Sequence, residues 1–153
     1  MHCCAGRCEF SVSLKLPPTA PQSLYTNILF ILAMKPKGWW WGRSASVDLH
    51  DCNPKLVRDP KAIKRFVREL CQVIKMKRHG PTEVQRFGQG QLRGYSMMQF
   101  IETSSVVGHF DEKGKRAFID VFSCKQFDPK IVAHFAKKFF RAKNCSLYVE
   151  ERL

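Results

Sequence analysis

The stretch Val47-Asp48-Leu49-His50-Asp51-Cys52, followed by Asp59-Pro60 and then by Ile63, Phe66, Val67, Leu70, Val73 and Ile74, decides the fold. From Ser44 to Leu49 apolar and polar residues alternate, which predicts a half-buried strand. Asp59 offers a capping carboxylate, and Pro60 suits the first helical position, where its missing N–H costs nothing. The apolar residues that follow recur at i, i+3, i+4, i+7, i+10 and i+11, one stripe of an amphipathic helix of about four turns.

The unit recurs downstream. Ile119-Asp120-Val121-Phe122-Ser123-Cys124 matches the first hexapeptide in position and polarity. Asp128-Pro129 then starts a second helix, whose stripe is Ile131, Val132, Phe135, Phe139 and Phe140. Residues 82–87, 95–101, 105–107 and 117–122 read as further strands, and 146–150 closes the chain with a last one. Two strand–helix units with antiparallel returns predict an α+β domain: a mainly antiparallel sheet, two helices on one face, and an internal strand–helix repeat. The uncovered sheet face calls for a partner, so a homo-oligomer is expected.

The 153 residues suit one domain, and 44% hydrophobic with 25% charged residues is ordinary for a globular chain. Residues 1–33 hold three of the eight prolines, no Asp, and the run Pro17-Pro18-Thr19-Ala20-Pro21. They are expected to form a disordered or non-native extension ahead of a single domain over 34–153. The longest apolar stretch, Ile28 to Met34, is too short to span a bilayer and lacks the flanks of a signal peptide. A cytoplasmic protein without a membrane partner is expected. The seven cysteines are odd in number, irregularly spaced and without a CxxC pair, which predicts reduced thiols and no metal site.

The net charge is +13. Lys61, Lys64, Arg65 and Arg68, like Lys125, Lys130, Lys137 and Lys138, fall on the polar sides of the predicted helices. They read as solvated faces, so no nucleic-acid partner is expected. Trp39-Trp40-Trp41 reads as an aromatic cluster at a strand start that covers a core edge rather than as a stacking platform for bases.

Chemistry-bearing residues concentrate between Gly94 and Cys124. Ser96, Ser104 and Ser105 supply hydroxyls, His109 an imidazole, and Cys124 a thiol. On spacing alone, a Cys–His nucleophilic pair and a turn of serines with His109 at a strand end are both open.

These residues also carry a resemblance. From Trp41-Gly42-Arg43 to the C-terminus the chain resembles the short prokaryotic S-adenosylmethionine decarboxylases. The shared features are Asp51-Cys52-Asn53, Arg86-Phe87, Gly94-Tyr95-Ser96, Ser104, His109 five residues later, and Cys124 twenty residues after the serine. The resemblance implies self-cleavage between Thr103 and Ser104 into a β chain and an α chain, with Ser104 becoming a pyruvoyl cofactor. Ser104 would attack the Thr103 carbonyl, assisted by His109 and Ser96. The pyruvoyl ketone would form a Schiff base with S-adenosylmethionine and take up the electrons freed by decarboxylation, a step in spermidine and other polyamine biosynthesis. Cys124 would return a proton to the substrate carbon. Cys52, in the mirrored position, reads as structural.

The resemblance further implies Phe87 stacking on the adenine, Glu112 near the ribose, no metal, and a dimer of processed αβ units. The chain departs from the family in three places. Thr103-Ser104-Ser105 replaces Glu-Ser-His, Asp111-Glu112-Lys113 replaces Trp-Pro-Glu, and the loop after Phe87 is longer. The alternatives are the same chemistry on ornithine or arginine, with Asp111 and Glu112 pairing a distal cation, and an uncleaved, non-catalytic relative.

Overall fold

A computed structural model describes residues 40–152, and the expectations for 1–33 and for Trp39 lie outside the described residues. The elements are β1 (Gly42–His50), α1 (Pro54–Val57), α2 (Pro60–Val73), β2 (Arg78–Phe87), a 3-10 turn (Gly90–Leu92), β3 (Gly94–Ile101), β4 (Ser104–Asp111), β5 (Arg116–Ser123), α3 (Pro129–Phe140) and β6 (Asn144–Arg152). The strands form one antiparallel sheet in the order β2-β3-β4-β5-β1-β6.

The helix starts follow from capping. Asp59 accepts the Lys61 N–H and Asp128 the Lys130 N–H, each ahead of a proline at the first helical position. Asn53 caps the short α1 in the same way, a helix that has no apolar period of its own. Inward residues of the central strands, Ala45, Val47 and Leu49 on β1 and Ala117, Ile119 and Val121 on β5, are buried against α2 and α3. Phe66 of α2 sits among Phe135, Phe139 and Phe140 of α3 with ring centroids 4.8–5.8 Å apart. Two residues of the predicted stripes turn out exposed, Val73 and Ile131. Val73 ends its helix, and in α3 the small Ala133 and Ala136 take the inward positions instead.

The sequence repeat becomes a symmetry of the sheet. β1 and β5 are antiparallel neighbours, and the equivalent residues Val47 and Ile119 stand directly opposite each other. A local two-fold axis therefore passes between them, and the helices that follow the two strands run antiparallel. The other sheet face is uncovered among the described residues. Met98, Phe100 and Tyr148 are exposed there, and Trp41 stacks on Phe122 with ring centroids 5.7 Å apart.

Candidate active site

Ser104 is the first residue of β4, opposite Ile101 across a two-residue turn made by Glu102 and Thr103. Its hydroxyl donates to Ser123 Oγ at 2.8 Å and accepts the Cys124 N–H at 3.3 Å. Ser123 is fully buried, and its Oγ also accepts the Lys125 N–H at 2.9 Å. Ser104 and the half-buried Cys124 therefore meet at one end of the sheet because β4 and β5 pair there. Thr103, at the bond preceding Ser104, has φ +61°. A β-branched side chain is disfavoured in this left-handed region, where glycine is at ease.

Ser96 and His109 form a second cluster. They are opposite partners on β3 and β4, and Ser96 Oγ lies 3.1 Å from His109 Nδ1. With Phe87, Leu92, Arg116 and Phe118 they line a cleft of about 190 Å³. Phe87 is 58% exposed at its edge, available for stacking.

The two clusters do not meet within one chain, which corrects the expectation that His109 and Ser96 assist the Ser104 of their own chain. His109 lies five residues along the same strand, roughly 17 Å at an extended rise. An odd separation also puts the two side chains on opposite faces.

Glu112 is likewise not at the cleft. Its carboxylate takes both hydrogen bonds of the Arg86 guanidinium, at 2.7 and 2.8 Å, and its carbonyl accepts from Arg58. The Arg86 hydrogen bond holds the carboxyl below the ordinary glutamate range, against an opposing effect of burial. Asp111 is also engaged: Oδ1 accepts the Lys113 and Gly114 N–H groups and Oδ2 pairs with Arg116. Neither carboxylate stands ready for the distal cation of ornithine or arginine.

Cys52 is buried, and burial pushes its thiol up to about 11. A thiol held that firmly protonated in a closed core is a packing group. Among the described residues no group of His, Cys, Asp and Glu could hold a metal ion. No helix among them is long and apolar enough to cross a membrane.

Sequence reasoning missed Ser123. The signal was present: the inward series Ala117, Ile119, Val121 ends on a hydroxyl where another aliphatic residue would continue it.

Residues 43–153 match the family model described as S-adenosylmethionine decarboxylase. No curated protein matches the sequence. The adenosylmethionine decarboxylase from Aquifex aeolicus shares the fold with a TM-score of 0.64, at 14% identity, over 75% of this chain and 92% of that one.

Proposed function

The chain belongs to the S-adenosylmethionine decarboxylase family, and on that premise we propose that it is a self-processing, pyruvoyl-dependent lyase acting on S-adenosylmethionine. The observation that carries this is the placing of Ser104. It follows a strained residue at a tight turn, its hydroxyl is held by two hydrogen bonds, and a half-buried thiol lies just past the end of the next strand.

In processing, the Ser104 oxygen adds to the Thr103 carbonyl, and the amide becomes an ester as the C–N bond breaks. Ser123 orients the hydroxyl during this step. Loss of the Ser104 α-proton then expels Thr103 as a carboxylate, separating residues up to 103 from residue 104 onward. The elimination leaves dehydroalanine at position 104, whose imine tautomer takes up water and releases ammonia; the pyruvoyl group so formed would supply the electron sink for loss of carbon dioxide. Cys124 would hold a proton for the substrate carbon, and Phe87, from the Ser96–His109 cleft, would stack on the adenine. The product would feed polyamine synthesis in the cytoplasm.

The separation of Ser96 and His109 from Ser104 gives the oligomer a role. The uncovered sheet face carries exposed Met98, Phe100 and Tyr148, an apolar surface suited to a second copy of the same chain. Two such faces packed about a two-fold axis would offer the Ser96–His109 pair of one chain to the Ser104 end of its partner. Ser104 is the first residue of its strand, at the end of the sheet.

The test is the intact mass of the purified protein under denaturing conditions. Two fragments dividing between Thr103 and Ser104, with a carbonyl reactive toward hydrazines on the smaller, are expected. A single full-length species without that carbonyl would replace this reading with a non-catalytic one.

A further inference from the structure

The positive charge of this chain is not spread over the fold. Segments 55–75 and 125–143 hold thirteen Lys and Arg against three Asp and Glu, while the rest of residues 40–152 holds nine of each. Those two segments are the helical layer. In sequence the cations look dispersed, and only the antiparallel packing of α2 on α3 gathers them on one side of the molecule.

Lys61, Lys64, Arg65 and Arg68 along α2 and Lys130 and Lys138 along α3 are exposed on this face. The three acidic residues do little to offset them. Asp59 and Asp128 are used as helix caps, and Glu69 faces Arg65 at 3.8 Å. The helices lie side by side, with Arg65 over the Phe139 ring at 5.2 Å. Helix α2, with 14 residues, is about 21 Å long. A duplex presents one phosphate charge about every 1.7 Å of its axis, so a row of cations on this scale spans many phosphates.

We propose that the helical face binds the sugar–phosphate backbone of a nucleic-acid duplex without selecting its sequence. Base reading is not supplied: Phe135 and Phe139 are half-buried in the helix interface and offer no stacking platform. A membrane fits less well, because Val73 and Ile131 are the exposed large apolar residues of these two helices and neither is aromatic. The face lies across the sheet from the Ser96–His109 pair, so occupying it leaves the cleft open. This inference is independent of the decarboxylase reading.

The probe is a fluorescein-labelled RNA duplex of about 20 base pairs, titrated with the full-length protein by fluorescence anisotropy from about 50 to about 200 mM NaCl. The double variant Lys64→Gln/Lys138→Gln is compared with Lys113→Gln/Lys115→Gln, which removes equal charge from the β4–β5 turn. The helix pair should weaken binding about tenfold near 150 mM salt and lower the salt slope by about two, with melting temperature unchanged. The turn pair should leave both nearly as they were. No binding by the wild type, equal weakening by the two pairs, or binding confined to phosphatidylserine vesicles would each overturn the proposal.

Discussion

The Ser104 hydroxyl donates to Ser123 Oγ at 2.8 Å, and that oxygen is itself fixed by the Lys125 N–H at 2.9 Å. On the proposed processing reaction, Ser123 would be a positioning residue for the attacking oxygen, set on the neighbouring strand. Ser123→Ala removes the acceptor with little change in volume. Processing should slow about three- to tenfold, the worth of one ordinary hydrogen bond. A time course of fragment appearance on denaturing gels reads this, and an unchanged rate would reduce Ser123 to packing.

Thr103 holds φ +61° immediately before the bond that the proposed processing would break. Strain there raises the energy of the uncleaved chain and is relieved once the turn opens. Thr103→Gly accepts the same conformation freely. In a Ser104→Ala background it should stabilise the uncleaved protein by about 1 kcal/mol, seen as a higher denaturant midpoint. With Ser104 intact it should process more slowly than the wild type. Stabilisation without slower processing would show that the strain is not used.

Much of this could be read in the chain before folding. Asp-Pro caps and apolar periods placed α2, α3 and all six strands, and the Val47 and Ile119 hexapeptides disclosed the repeat. The β3–β4 turn was legible as the break between two strands, but its left-handed Thr103 was not. A conformation forced by register leaves no mark on residue type when the residue is not glycine. The His109 spacing left the pairing of chains open, since matching intervals say which residues recur and not which chain they serve. Glu112 was misplaced because Arg86, 26 positions away, becomes its neighbour only through the sheet.

Cys124 and Cys52 occupy matching positions of the repeat and should separate cleanly. Cys124→Ala should still cleave, yet decarboxylate about 10²–10⁴-fold more slowly, as loss of a positioned general acid implies. Cys52→Ala should lower stability by about 1 kcal/mol through a small cavity and leave both reactions intact. Near-normal turnover by Cys124→Ala would move the proton donor elsewhere.

Arg86 and Glu112 make a stability prediction with a definite sign. The folded state depresses the Glu112 carboxyl below its unfolded value, near 4.3. The pair's contribution is therefore full above that value and is lost as pH falls through the lower, folded one. Glu112→Gln should be less stable than the wild type at neutral pH, with the gap closing in acid and shrinking in high salt, because Arg86 is half exposed. Its KM for S-adenosylmethionine should stay near the wild-type value. A large rise in KM with no change in acid unfolding would return Glu112 to the substrate.

The two clusters, roughly 17 Å apart along β4, lead to the sharpest prediction. If Ser96 and His109 serve a partner's Ser104, then Ser104→Ala and His109→Ala chains are each defective but complementary. A mixed dimer holds one site with both lesions and one with neither. Coexpressing the two chains should therefore restore cleavage of the His109→Ala chain and recover part of the decarboxylation. The recovered activity should come from mixed dimers isolated through different affinity tags on the two chains. Size measurement should give dimers for the wild type, and Phe100→Glu, which charges the exposed sheet face, should give monomers that fold yet fail to process. Failure of complementation in isolated mixed dimers would place the whole site within one chain, requiring β4 to rearrange so that His109 reaches its own Ser104.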